Sequence, residues 1–174
     1  MTVLDALKDL KACLEKVLSE GDMLFQQEET DPPQYVKPYV QICYYPHKNF
    51  TPWGFQAPGV LISLDEAEDG PQENTVAIRL LCTTYGGGYY EGTGIPDSKG
   101  YIDLINLMER LKVVLITQWT LGRSALNKPV QMGMYDAELA WPYWYGYLSF
   151  DLQIPVTEYP MRNAEMEAFL NGRD

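Results

Sequence analysis

Histidine is almost missing from this chain, cysteine is sparse, and bases are heavily outnumbered by acids. His47 is the only histidine, so any Ser-His-Asp or Cys-His nucleophile would have to be built on it, with Cys43 on the same strand end. No orienting pattern accompanies that pair, and nothing beside Cys43 would activate a thiolate. Cys13, Cys43 and Cys82 are odd in number and far apart, without the paired spacing of zinc sites or redox dithiols, and read as free thiols. No run approaches the roughly 18 apolar residues of a membrane span. The start, Met1 to Asp9, carries acids at amphipathic spacing instead of a signal-peptide core, so the expectation is a cytosolic protein. With 13 Lys and Arg against 24 Asp and Glu, the formal net charge of -11 argues against a groove that grips nucleic acid by counterion release.

What is present is a sheet with helices to cover it. At 174 residues and 46% hydrophobic, the chain suits a single domain, 1–174, with a sizeable core. Thr2 is placed to cap a first helix, with Asp5 three residues on, and Val3, Leu7, Leu10, Leu14 and Val17 form one apolar stripe closed by Gly21. A second helix starts near Ser98, with Ile102, Ile105, Met108, Leu111 and Leu115 on one side, and Gly122 is read as its end. A short third helix, Ala164 to Leu170, follows Asn163 as cap within a terminal segment spanning 160–174. Five strands alternate at period two: Val40, Ile42, Tyr44; Val60, Ile62, Leu64; Val76, Ile78, Leu80, Cys82; Val130, Met132, Met134; and Leu148, Phe150, Leu152, Ile154. Their opposite faces carry Gln41, Ser63, Thr75, Arg79, Thr83, Gln131, Ser149, Asp151 and Gln153, the pattern of a sheet covered on one side only. The expected fold is α+β: a two-layer sandwich with a mixed or antiparallel sheet of about five strands and helices on one face.

Candidate sites are few. Tyr85 to Gly94 is a glycine-rich loop between a strand and a helix, the place where such loops cradle phosphate. Neither phosphate-loop order is met, and the loop carries Glu91, with Asp97 following; a connection that flexes or lies against a neighbour fits the composition as well. The acidic run Asp65 to Gly70 has Ala67 and Val76 where a calcium loop needs its third and twelfth ligands, so it reads as a solvated hairpin turn. Glu91 with Asp151 can be nominated as paired carboxylates, but no separation follows from sequence. The sequon Asn49-Phe50-Thr51 has no secretory signal beside it. Trp141 to Tyr147 is the strongest local aromatic cluster. It reads as an interface or packing element ahead of a platform that stacks sugars or bases. No catalytic, metal or cofactor residue is assigned, and no enzyme activity is expected.

The order of elements resembles the tail terminator, or tail completion, proteins of long-tailed bacteriophages and prophages. The likeness lies in the amphipathic first helix, the strand Thr75 to Tyr85, the helix Tyr101 to Ile116 after a variable loop, and the aromatic approach into Tyr147 to Pro155. It covers most of the chain, with Pro46 to Pro58 additional to it. The resemblance implies a non-catalytic ring subunit, usually in a hexamer, that caps the tail tube, with itself, the tail tube protein and the head-tail connector protein as partners. It implies assembly in the host bacterial cytoplasm and residence in the virion tail. On that reading Trp53, Phe55, Tyr89 and Tyr90 are contact points between subunits or with the tail, and Asp151 faces the channel. A neighbouring head-tail connector or tail-tube component is the alternative, and an aromatic-lined carbohydrate-binding module or small hydrolase the second.

Overall fold

The computed structural model describes residues 1–27, 30–43, 57–70, 74–118, 120–135 and 141–155. Helix α1 spans Val3–Glu20. It begins where the sequence places it: the Thr2 hydroxyl accepts from the Asp5 amide at 3.2 Å and the Thr2 amide donates to Asp5 Oδ2 at 3.0 Å, a reciprocal capping box. Ala6, Leu7, Leu10, Leu14 and Leu18 are its buried face, and Gly21 follows its last turn. The hydrogen bonds from the Thr2 amide and hydroxyl hold the Asp5 carboxyl below its ordinary value of 3.8. A depressed carboxyl adds stability above its unfolded pKa, and that contribution is lost as pH falls through the folded value. Thr2→Ala keeps the amide bond and removes the hydroxyl. The Asp5 pKa followed by NMR titration is therefore expected to rise only part of the way back, and no rise at all would show that the capping box does not form in solution.

Helix α2 spans Lys99–Thr117, and Asp97 Oδ1 accepts from the Lys99 amide at 3.1 Å at its start. Its buried face is Gly100, Leu104, Leu107, Met108, Leu111 and Leu115. The observed stripe is thus rotated from the expected one: Ile102 is 53% exposed, and Leu104 and Leu107 lie inside. The helix is apolar around much of its girth, so spacing alone left its orientation open. Nor does Gly122 end it; the chain leaves the helix at Gln118, and Gly122, at φ 65°, makes a hairpin turn further on.

A two-stranded ribbon pairs β1 (Phe25–Gln26) with β2 (Tyr35–Val36). The main sheet holds β3 (Tyr39–Ile42), β4 (Gly59–Asp69), β5 (Asn74–Tyr85), β6 (Thr120–Leu121), β7 (Ser124–Met134) and β8 (Tyr143–Ile154). Its order is β3-β4-β5-β8-β7-β6, six strands among the described residues where about five were expected. Only β3 and β4 run parallel; the other neighbours are antiparallel. Helix α2 packs on β5, β8 and β7, whereas α1 touches β3 and β4 near one edge and β6 at the other, so α1 bridges the two ends of a curled sheet. The class is α+β with both helices on one face, and Val60, Ile62, Val76, Ile78, Leu80, Cys82, Leu148 and Leu152 meet them with at most 1% exposure. Burial pushes the Cys82 thiol far up, which keeps it inert among these side chains.

Two strand expectations change. Val130 packs against the core as expected, but Met132 and Met134 are 38% and 36% exposed, because they point to the helix side at a sheet edge that no element among the described residues extends. The acidic run is not a turn either, since β4 continues through it to Asp69. A β-bulge at Asp65 makes this possible. Strict alternation from Val60, Ile62 and Leu64 would send Glu66 and Glu68 to the core face. The extra residue instead sets Glu66 opposite Ala77 and Glu68 opposite Thr75 on the outer face, and puts Ala67, itself exposed, on the helix-side face opposite Val76. Asp65 then pairs with Arg79 at 2.8 Å, half-exposed. Deleting Asp65 leaves Leu64, Glu66 and Ala67 in plain alternation, so the fold should survive with stability changed by about 1 kcal/mol or less, the scale of an exposed ion pair. Loss of cooperative thermal unfolding in that variant would overturn the bulged register of β4.

Candidate functional site

The expected contact points divide. Trp53 and Phe55, with His47 and the helix at 164–170, lie outside the described residues. Tyr89 and Tyr90 sit on a short arm between β5 and α2. The isolated bridge Tyr89↔Pro96 closes it, with the Tyr90 amide donating to Ile95 O and the Asp97 amide to Gly88 O, both at 2.9 Å. Gly92 and Gly94, at φ 72° and 64°, supply the left-handed geometry of the tip. The Tyr90 hydroxyl meets Ser98 Oγ at 3.0 Å. The arm is thus a built feature, and it carries Tyr89, Tyr90 and Ile95 at 51%, 50% and 59% exposure. Trp141 joins them with its ring centroid 5.0 Å from that of Tyr89.

The glycines at the root of the arm serve packing. A Cβ on Gly86 would lie 2.7 Å from the Gly100 backbone, and one on Gly100 would strike the Trp144 ring. Thr84 Oγ1 donates to Gly100 O at 2.7 Å inside this contact, and Trp144 Nε1 reaches Gly86 O. Asp97 occupies the start of α2 through its own carboxylate, so the phosphate-like position of the loop is filled by this chain.

The outer sheet face has two ends. At one, Tyr143 stacks on Tyr145, Tyr85 meets Tyr143 edge-on, and Tyr135 meets Tyr147 with centroids 5.3 Å apart. Arg79 lies over the Tyr147 ring at 5.6 Å. Its guanidinium pKa is pushed further up by a hydrogen bond with Tyr135, opposed by burial and supported by Asp65. Leu61, Leu81 and Thr83, also on this face, are buried, so the outer face is less polar than its alternation implied. At the other end Glu66, Glu68 and Asp151 line a shallow recess of about 180 Å³ with Thr75 and Ala77. Asp151, read from sequence as facing a channel, is exposed there. Sequence reasoning missed Glu66 and Glu68 beside it; the signal was the break in alternation at Asp65.

Of the aromatic cluster, Trp144 is spent on the glycine contact and on Tyr101, Tyr143 and Tyr145 on each other, and Tyr147 on Tyr135 and Arg79, which leaves Trp141 beside Tyr89 as its exposed member. The three carboxylates lie toward the far end of β8 from those rings, since Asp151 is four residues beyond Tyr147 at about 3.3 Å per residue. Glu91 lies in the tip of the arm and Asp151 on the strand; no contact joins the two among the described residues. Cys13 Sγ meets Gln118 Oε1 at 3.0 Å, and its thiol is pushed up by burial. No group of three or more His, Cys, Asp and Glu is arranged to hold a metal among the described residues. No helix among them is long and apolar enough to cross a membrane. No protein-family model matches the chain, and no curated protein matches it.

Proposed function

We propose that this chain is a structural subunit of a phage or prophage virion, a tail terminator that caps the tail tube as a ring and provides the joint to the head connector. The observation that carries the reading is the hydrogen-bonded arm from Gly88 to Asp97. It holds Tyr89, Tyr90 and Ile95 in solvent beside Trp141, and aromatic anchors on a pre-organised support are what a subunit contact requires. The element order and the α+β architecture are compatible with it. So is the position of Asp151 with Glu66 and Glu68 on the sheet face opposite the described helices, where carboxylates lining a ring would keep passing DNA from adhering. On this reading the partners are further copies of the chain, the tail tube protein and the head-tail connector protein. The ring, a hexamer in the resembling family, closes through heterologous contacts that include the arm.

The test is deletion of the gene from the genome that carries it, with induced particles viewed by negative-stain electron microscopy. Overlong tails that never join filled heads are the expected result. Tailed heads of normal length would overturn the terminator role and bring forward the exposed Tyr89 and Trp141 pair as a ligand platform.

A further inference from the structure

We propose that two copies of this chain associate in solution by pairing, antiparallel across a two-fold axis at Gly133, the edges of β7 that the described strands leave unpaired. Strand β6 covers β7 only at Ser124 and Ala125. Beyond them, among the described residues, β7 pairs with β8 alone. The hydrogen-bond phase is fixed by the Tyr135 amide, which donates to Tyr145 O at 3.0 Å. Counting back at period two, Gly133 and Gln131 face β8, whereas the N–H and C=O of Met132 and Met134 point away from it. Near its start the edge is closed to a partner by the irregularity between Asn127 and Gln131, where Pro129 has no N–H to offer. The open part is therefore the short stretch around Met132 and Met134.

That stretch is complementary to itself. An antiparallel pair centred on Gly133 sets Met132 opposite Met134 of the second copy, and the reverse, so each pair exchanges both N–H···O bonds. The side chains of these pairs lie on the helix side of the sheet, because Met132 pairs with fully buried Leu148 and Met134 with Gly146, which faces Met108. Each methionine then covers the other, removing the exposure of 38% and 36% at an edge that no described strand pairs with. Gly133 suits the centre: the Tyr147 ring already fills the space of a Cβ there, 2.5 Å from it. Charge selects the same place. Gln131 to Tyr135 carries no charge on a chain of net charge -11, so like copies can approach there without setting acids opposite each other.

The contact is short, below the roughly 1,200 Å² of a standard interface, so association should depend on concentration. Sedimentation velocity on the purified full chain is expected to show the weight-average mass climbing from monomer toward dimer as concentration rises. Met132→Glu with Met134→Glu, which sets like charges opposite each other, should weaken association by at least about tenfold, while Met132→Leu with Met134→Leu should keep it. Far-UV circular dichroism checks that both variants fold. Hydrogen exchange supplies a second readout: the Met132 and Met134 amides should gain protection with concentration, and the Gly133 amide should be protected throughout. A monomer at every concentration, or association untouched by the glutamates, would overturn the edge pairing. Both outcomes concern the purified chain alone, so they stand apart from the tail-length experiment, which can fail or succeed without them.

Discussion

Leu148→Ala is expected to lower the unfolding free energy by about 2 to 5 kcal/mol, the range for removing a leucine from a packed core. Leu148 has no exposure, pairs with Leu80 on one side and Met132 on the other, and lies on the strand that α2 covers. Neighbours on a sheet and a capped helix cannot close the void without breaking the ladder, so a loss toward the upper end is expected. Because a chain of this size shifts by roughly 2–4 °C per kcal/mol, the melting temperature should fall by about 10 °C. Leu64→Ala is the matched control. Leu64 occupies the same face of β4 but is 44% exposed, beyond the cover of the helices, and its loss should cost well under half as much. Equal losses at the two positions, read from chemical denaturation, would show that the helices do not lie over β8.

Gly86→Ala should cost about 1 to 3 kcal/mol by the opposite mechanism, overpacking. The added methyl would meet the Gly100 Cα and N at 2.7 Å, and both are backbone atoms held by the first turn of α2 and by the Thr84 hydroxyl. No rotamer change relieves such a contact; the helix would have to move away from β5, exposing Trp144. A red-shifted tryptophan emission accompanying the lost stability would identify that movement. Gly92→Ala, in contrast, meets nothing within 4 Å and is strained only through its φ of 72°, so its cost should be about 1 kcal/mol, without the spectral change. An unchanged melting temperature for Gly86→Ala would contradict the root packing of the arm.

These two positions mark how far the sequence could be read. Leu148 was legible because β8 alternates without interruption from Leu148 to Ile154, and a half-buried strand leaves that signature whatever its partners. Gly86 was legible only as part of a glycine-rich loop. Its purpose depends on Gly100, fourteen residues away, and on Trp144 from a later strand. The arm that carries Tyr89 and Tyr90 was placed correctly between strand and helix, yet its closure rests on the bridge to Pro96 and its ring contact on Trp141, and both are encounters between segments. Glu66 and Glu68 escaped notice because a bulge reverses the meaning of alternation, and a run of acids after an apolar strand looks the same as a turn.

By itself, then, the sequence determined the capping box and length of α1, the phases of most strands, the α+β class and the scarcity of groups for nucleophilic chemistry. Each of these follows from local spacing, hydrogen bonding between near neighbours, or composition. Tertiary structure decided which side of α2 faces inward, where β4 ends, which face Glu66 and Glu68 share with Asp151, and which edge of β7 the described strands leave open. The physical reason is common to all four. Helix girth, strand register and edge pairing are settled by competition among surfaces brought together from distant parts of the chain, and spacing along one segment carries no record of that competition.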